Sequence, residues 1–265
     1  MPLLVVGTNH KFAPISIREK ISFPKKRLSE AVSFFGNAVI LSTCNRVEVY
    51  SSEDLDLKWL LCKYHEISAR DIYPYLYEYR NEEVLAHLCR VAAGQDSQIY
   101  GEMEILGQVR FAYNAAKPKG ILNRVFIDAF RAVKQTRKKM GIDASIGKTV
   151  KYFLGRIDGK KIIILGRGET GRIIADSLKN NCEIISYGDL REKIKDADIL
   201  ISATGSPHFV IRKEDMPQRP LVILDIAVPR DVEPSVKNIK GIELFTLDEI
   251  CGNSVREKAG LLLSK

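Results

Sequence analysis

The sequence predicts an α/β chain in two parts, an α+β first half and a second half built on a doubly wound parallel sheet. Three observations carry this. Beyond residue 159 the apolar runs "KKIIILG", "DILISATG" and "LVILDIAV" are uninterrupted, as strands covered on both faces require. Helical stretches separate those runs in a regular β–α alternation, the order of a parallel sheet. The first half has another rhythm, short strand pairs mixed with longer amphipathic helices.

In order, "LLVVGTN" (3–9) reads as a buried strand, and "AVILSTC" with "VEVYSS" as a strand pair turning near residue 45. Between them "FPKKRLSEAVSFF" is helical, with Pro24 suited to a first turn and Leu28, Ala31, Val32 and Phe35 on one face. "NEEVLAHLCRVAAG" is a second helix, capped by Asn81 and stopped by Gly94. "EMEILGQVRFAYNAAK" is a third, ending before Pro118, and residues 121–157 are helical with a break at "GIDASIG". In the second half, "RGETGRIIADSLKNN" is a turn and helix, "CEIISY" a strand and "DLREKIKDA" a short helix.

At 265 residues the chain suits about two ordinary domains. Its net charge of +8 favours a polyanionic partner, although a solvated basic surface gives the same balance. No run reaches the ~18 apolar residues of a membrane span, and the N-terminus lacks a signal-peptide pattern. Five scattered cysteines without a CxxC or zinc spacing predict free thiols in a reducing cytoplasm. Cys62, Cys89 and Cys182 read as small hydrophobes.

"IIIL-GRGETG-RIIADSL" sets Gly166, Gly168 and Gly171 in G-x-G-x-x-G between a strand and a helix. The first glycine permits a tight turn, the second a close approach to a pyrophosphate, the third close helix–strand packing. A glycine-rich turn without a ligand is the plainer alternative. The acid expected about 20 residues on falls on Asp189, which is a ribose ligand or only a helix cap. Arg191 is near the tip but not at it, so these residues do not choose between NAD and NADP. "SATGSP" (202–207) ends a strand with small residues that suit the floor of a nicotinamide site or a plain turn.

The corner "STCNR" holds a thiol, an amide and a guanidinium that a turn does not need. A fixed cation such as Arg46 favours the thiolate of Cys44, so the thiol is a candidate nucleophile or a small buried side chain. Arg46 has the fork for a carboxylate, the substrate's or a surface partner's. His87 lies beside its helix's apolar stripe, where a core histidine or an acid–base group would fit.

The runs "GTNHKFAPISIREKISF", "LSTCNRVEVY", "HLCRVAAGQDSQIYGEMEILGQVRFAYNAA" and "LDIAVPRDVEP" resemble the glutamyl-tRNA reductase family, in order and in register. The resemblance implies NADPH-dependent reduction of glutamyl-tRNA to glutamate-1-semialdehyde through a cysteine thioester, the first step toward tetrapyrroles. It puts the nucleophile on Cys44, a histidine important for activity on His87, and substrate contacts on Thr43, Asn45, Arg46, Ser97, Glu102, Met103, Glu104 and Gln108. The cofactor loop falls on Gly166, Arg167, Gly168, Glu169, Thr170 and Gly171, in a Rossmann-like domain. His10 is left as support near the cleft. A downstream aminomutase is the expected further partner. A non-catalytic tRNA- or partner-binding relative is the alternative function.

The expected division is 1–140 for catalysis and substrate, 141–158 as a linker helix, 159–250 for NADP, and 251–265 as the start of a C-terminal helix. Two departures from the family pattern stand out. The N-R-T-like turn that meets the adenosine phosphate is absent after "CEIISY", and the sequence ends where the family's helical dimerisation domain would follow, which leaves the oligomeric state open.

Overall fold

The computed structural model describes residues 2–140, 144–179 and 181–252, with backbone alone over 137–140. The chain divides into two compact units, Met1–Ala144 and Ser145–Lys265. Among the described residues no helix is long and apolar enough to cross a membrane.

The first unit runs β1 (Leu4–Asn9), α1 (Ile15–Arg18), α2 (Leu28–Phe35), β2 (Ala38–Ser42), β3 (Arg46–Ser51), α3 (Leu57–His65), α4 (Ala69–Ile72), β4 (Tyr77–Arg80), α5 (Glu82–Ala92), α6 (Glu104–Ala116) and α7 (Gly120–Met140). Its four strands are antiparallel in the order β2-β3-β1-β4. Both faces are covered. Val5, Val39, Leu41 and Tyr50 pack under α5, α6 and α7 with Leu88, Ile105 and Phe126. Leu4, Val6, Ile40, Val47 and Val49 pack on the other side with Leu28, Phe35, Leu57 and Leu61. That is why every residue of β1 and β3 is buried, polar ones included.

The second unit runs α8 (Ile146–Leu154), β5 (Ile162–Leu165), α9 (Glu169–Ser177), β6 (Glu183–Ile185), α10 (Leu190–Lys193), β7 (Ile199–Ser202), β8 (Leu221–Asp225), β9 (Ile242–Thr246) and α11 (Leu247–Cys251). The sheet is wholly parallel, in the order β6-β5-β7-β8-β9. The chain leaves β5 to β6 on one side and to β7 on the other. Ligands of doubly wound sheets gather at the carboxyl ends of strands beside such a reversal.

The elements that sequence reading left out are α1, α3, α4, β4, β9 and α11. α8, which falls in the expected linker, packs on α9 within the second unit. The expected C-terminal helix lies, beyond Gly252, outside the described residues.

Candidate active site

Cys44 stands in the turn between β2 and β3, its side chain half-buried. Thr43 builds the turn. Its hydroxyl accepts from the backbone N–H of Asn45 and of Arg46, both at 3.1 Å, and its own N–H donates to the Arg46 carbonyl at 2.9 Å. The buried Arg18 guanidinium donates to the Cys44 carbonyl, and through Nε to the Ala13 carbonyl at 3.2 Å. The His10 N–H donates to the Asn45 carbonyl at 3.0 Å. The peptide that carries the thiol is thus held from three sides.

Arg46 is fully buried. Its Nη1 donates to Glu48 Oε1 at 2.8 Å and to Asp96 Oδ2 at 3.2 Å, while Nη2 donates to Asp96 Oδ2 at 3.2 Å and to the Asp96 carbonyl. The sequence had offered this fork to a substrate carboxylate or a surface partner. The structure corrects the surface-partner reading, because two internal acids engage the fork in the core. Its charge is balanced there, so it is not a lone cation beside the thiol.

Glu48 is the hub of the site, and sequence reading missed it. Besides Arg46 it accepts from Tyr77 Oη and Tyr50 Oη, each at 2.5 Å, and from His87 Nε2 at 2.9 Å. A carboxylate only accepts, so Nε2 of His87 carries the hydrogen. Burial by itself would raise the Glu48 carboxyl, but Arg46, His87 and Tyr50 outweigh it and hold the group well below the usual carboxylate range. Burial, reinforced by the Glu48 charge, pushes both tyrosines well above theirs.

Gly7 makes this convergence possible. It pairs across the ladder with Glu48 on one side and Tyr77 on the other. A Cβ there would run into the Val47 carbonyl and lie 2.7 Å from Glu48 Cγ. The bare backbone of β1 therefore leaves a channel through which the Tyr77 hydroxyl reaches Glu48.

His87 is 2% exposed on α5, with the Tyr79 ring 4.6 Å away. It reaches the thiol corner through Glu48 and Arg46. Asp96, in the α5–α6 connection, also accepts from Asn9 Nδ2 at 3.2 Å and pairs with Lys11. Burial raises its carboxyl, but Lys11 and Arg46 bring it below the usual range.

Glu102 is buried just ahead of α6 rather than in the helix as expected. Burial raises its carboxyl, and Ser97 and Asn45 draw it partly back, which ties this connection to the Cys44 corner. Ser97 and Asn45 are buried, Met103 is 54% exposed, and Glu104 and Gln108 are half-buried, one turn apart on α6. The structure thus gathers Thr43, Cys44, Asn45, Arg46, Ser97 and Glu102, sets His87 behind Glu48, and leaves Met103 facing solvent.

In the second unit, Gly166 adopts φ +127°, and a Cβ on it would lie 2.5 Å from the Ala203 carbonyl. A Cβ on Gly171 would overlap the Gly166 carbonyl. At Gly168 a Cβ would meet nothing within 4 Å. The two outer glycines are thus required by packing, while at the middle one space stands open in front of the turn. That is the pattern a pyrophosphate needs, together with the unpaired first-turn N–H groups of α9 at Glu169, Thr170 and Gly171. Arg167 is exposed beside them. The turn fits a dinucleotide.

The neighbouring strand ends are tied by two buried acids. Asp231 accepts from Ser202 Oγ at 2.7 Å, Thr204 N at 2.9 Å and Thr204 Oγ1 at 2.5 Å. Asp225 accepts from the N–H groups of Ala227, Asp231 and Val232 at 3.0–3.3 Å. Burial, with Asp231 nearby, pushes the Asp225 carboxyl up to about 7 against those donors. The "LDIAVPRD" run is therefore scaffolding for the carboxyl edge of the sheet.

A thiol corner anchored on a buried acid, and a dinucleotide-type turn at the reversal of a parallel sheet, define an oxidoreductase of the nicotinamide-dependent class. Residues 6–140 match the family model "Glutamyl-tRNAGlu reductase, N-terminal domain", and residues 146–252 match "Shikimate / quinate 5-dehydrogenase". Glutamyl-tRNA reductases of Colwellia psychrerythraea and Bacillus subtilis are 34% and 32% identical, each over 95% of this chain and over 72% and 67% of their own lengths. The solved glutamyl-tRNA reductase of Methanopyrus kandleri is 31% identical over 99% of this chain and 74% of its own, with a TM-score of 0.49. The chain belongs to the glutamyl-tRNA reductase family.

Proposed function

We propose that the chain reduces the glutamyl group of glutamyl-tRNA to glutamate-1-semialdehyde and releases free tRNA, the first step toward tetrapyrroles. The observation that carries the proposal is the Cys44 corner. Its backbone is pinned by Thr43 and Arg18, and its flank by the buried Arg46–Glu48–His87 network.

Cys44 is the nucleophile. Its thiolate forms a bond to the acyl carbon, the bond from that carbon to the tRNA oxygen breaks, and the tRNA leaves with a proton. The residue left is a glutamyl thioester, whose weak resonance makes it a good hydride acceptor. Held by the glycine turn of residues 166–171, a reduced nicotinamide would supply a hydride to the acyl carbon, so that the carbon–sulfur bond breaks to aldehyde and free thiolate. The reductant is a nicotinamide dinucleotide, which the family resemblance alone would make NADPH.

Asn45, Ser97, Glu102, Glu104 and Gln108 stay as substrate contacts, and Met103 offers an apolar surface beside them. Arg46 and His87 act by position. Arg46 sets the corner, and His87 fixes Glu48, in place of the direct proton transfer that the resemblance assigns to it. Gly166, Arg167, Gly168, Glu169, Thr170 and Gly171 hold the cofactor's phosphates. The aldehyde product is reactive, so an aminomutase that consumes it belongs next in sequence, in the cytoplasm.

Incubation with glutamyl-tRNA and no nicotinamide should leave a glutamyl adduct on Cys44 by mass spectrometry, and a Cys44→Ser variant should have none. Addition of cofactor should then clear the adduct and yield semialdehyde. Folded protein that forms neither adduct nor aldehyde would leave the non-catalytic, tRNA-binding reading in its place.

A further inference from the structure

We infer that Asp189 makes this chain select NADH over NADPH, against its family's pattern. The inference rests on the reading of the glycine turn as a dinucleotide site.

β6 lies directly beside β5, and the Gly166 N–H donates to the Ile185 carbonyl at 3.4 Å. The residues that follow Ile185 therefore stand next to the glycine turn. In doubly wound dinucleotide domains the group at this strand tip meets the adenosine ribose. An acid there accepts from a free 2′-hydroxyl, and a guanidinium takes a 2′-phosphate.

The tip here is built around a carboxylate. Ser186 donates to Asp189 Oδ2 through its N–H at 3.1 Å and through its hydroxyl at 2.5 Å. Arg167 of the glycine turn sits 3.9 Å from the same oxygen. The cations that follow are engaged too, Lys193 with Glu183 at 2.7 Å and Arg191 with Asp215 at 3.3 Å. A 2′-phosphate, with nearly two negative charges, would have to displace the carboxylate from Ser186 and share Arg167 with it. A 2′-hydroxyl has a hydrogen to donate, and the half-exposed Asp189 can accept it.

Asp189 is also the third residue of a capping box with Ser186. The two roles reinforce each other, because the cap holds the carboxylate fixed at the tip. They separate in one substitution. Asp189→Asn keeps an acceptor oxygen for Ser186 and removes the charge.

The test titrates the whole chain with NADH and with NADPH, following nicotinamide fluorescence, so that the readout is binding. NADH should bind about tenfold tighter, the order of one charge contact near a protein surface. In Asp189→Asn the gap should close to within about threefold, chiefly through tighter NADPH, with thermal melting unchanged. Equal or tighter NADPH binding by the native chain would overturn the inference alone. So would an unchanged preference in a folded Asp189→Asn variant. Binding of neither nucleotide would bring down the dinucleotide reading and this inference with it.

Discussion

Replacing Glu48 with glutamine tests the centre of the thiol unit. Four donors converge on the carboxylate: Arg46, His87, Tyr50 and Tyr77. A carboxamide of the same size brings two hydrogens into a shell made of donors. It also leaves the buried Arg46 charge with Asp96 as its remaining acid partner. Removing one member of a buried ion pair costs about 3–5 kcal/mol, against a usual total of roughly 5–15 kcal/mol. The assay is built into the chain, whose single tryptophan, Trp59, lies on α3 of this unit and is 50% exposed. Tryptophan fluorescence in urea therefore follows the first unit alone. With a slope of about 2 kcal/mol per molar, Glu48→Gln should lower the midpoint by about 1.5–2.5 M. The pH dependence follows from the depressed carboxyl. Its stabilisation is fully present above the ordinary carboxylate range and is lost as pH falls through the folded-state value. Native protein should therefore lose stability on acidification more steeply than the variant. A midpoint shift below about 0.3 M, with an unchanged acid limb, would refute the hub.

The glycine turn and the acid pair give two more expectations. Gly168 has φ −74° and open space at its Cβ, so Gly168→Ala should fold normally and weaken nicotinamide binding by fluorescence titration. Gly171→Ala forces a methyl into the Gly166 carbonyl and should destabilise the second unit by about 1–3 kcal/mol in circular-dichroism melts. Asp225 has a folded-state value of about 7, above the ordinary 3.8, so its protonation stabilises the fold at low pH and the gain is lost as pH rises through 7. Denaturation of the native chain at pH values from about 4 to about 7 should show that decline, with a plateau above it, and Asp225→Asn should flatten it.

How much of this was legible in the sequence differs by level. The parallel sheet was, because β5, β7 and β8 are buried on both faces and so leave unbroken apolar runs. β4 was not. "YEYR" carries two charges and follows a turn, and it becomes a strand only through its ladder with β1. The corner residues were named by motif, but the pairing of Arg46 with Glu48 and Asp96 was not legible, for a reason that local sequence cannot supply. Arg46, Glu48 and Tyr50 alternate with Val47 and Val49, which reads as a polar face turned to water. In the fold that face lies under α5 and α6. Gly7 and Glu48 meet only through register, 41 positions apart, and nothing in either neighbourhood announces the pairing.

The buried network is a costly way to stabilise a sheet, since well-packed apolar side chains of similar volume commonly do as well or better. Its value lies in what it fixes. Arg46 is the residue two beyond Cys44, and its fork is clamped from the strand by Glu48 and from the α5–α6 connection by Asp96. The Asp96 connection leads directly to Ser97 and on to Glu102, which meets Asn45 at the corner. The strand turn and the connection are thereby locked to each other on either side of the thiol. An apolar replacement would keep the layers together and leave the corner free to rotate relative to Ser97 and Glu102. On this argument the network is retained for the geometry around Cys44. Variants that repack it with apolar residues should then melt normally yet lose adduct formation on the thiol.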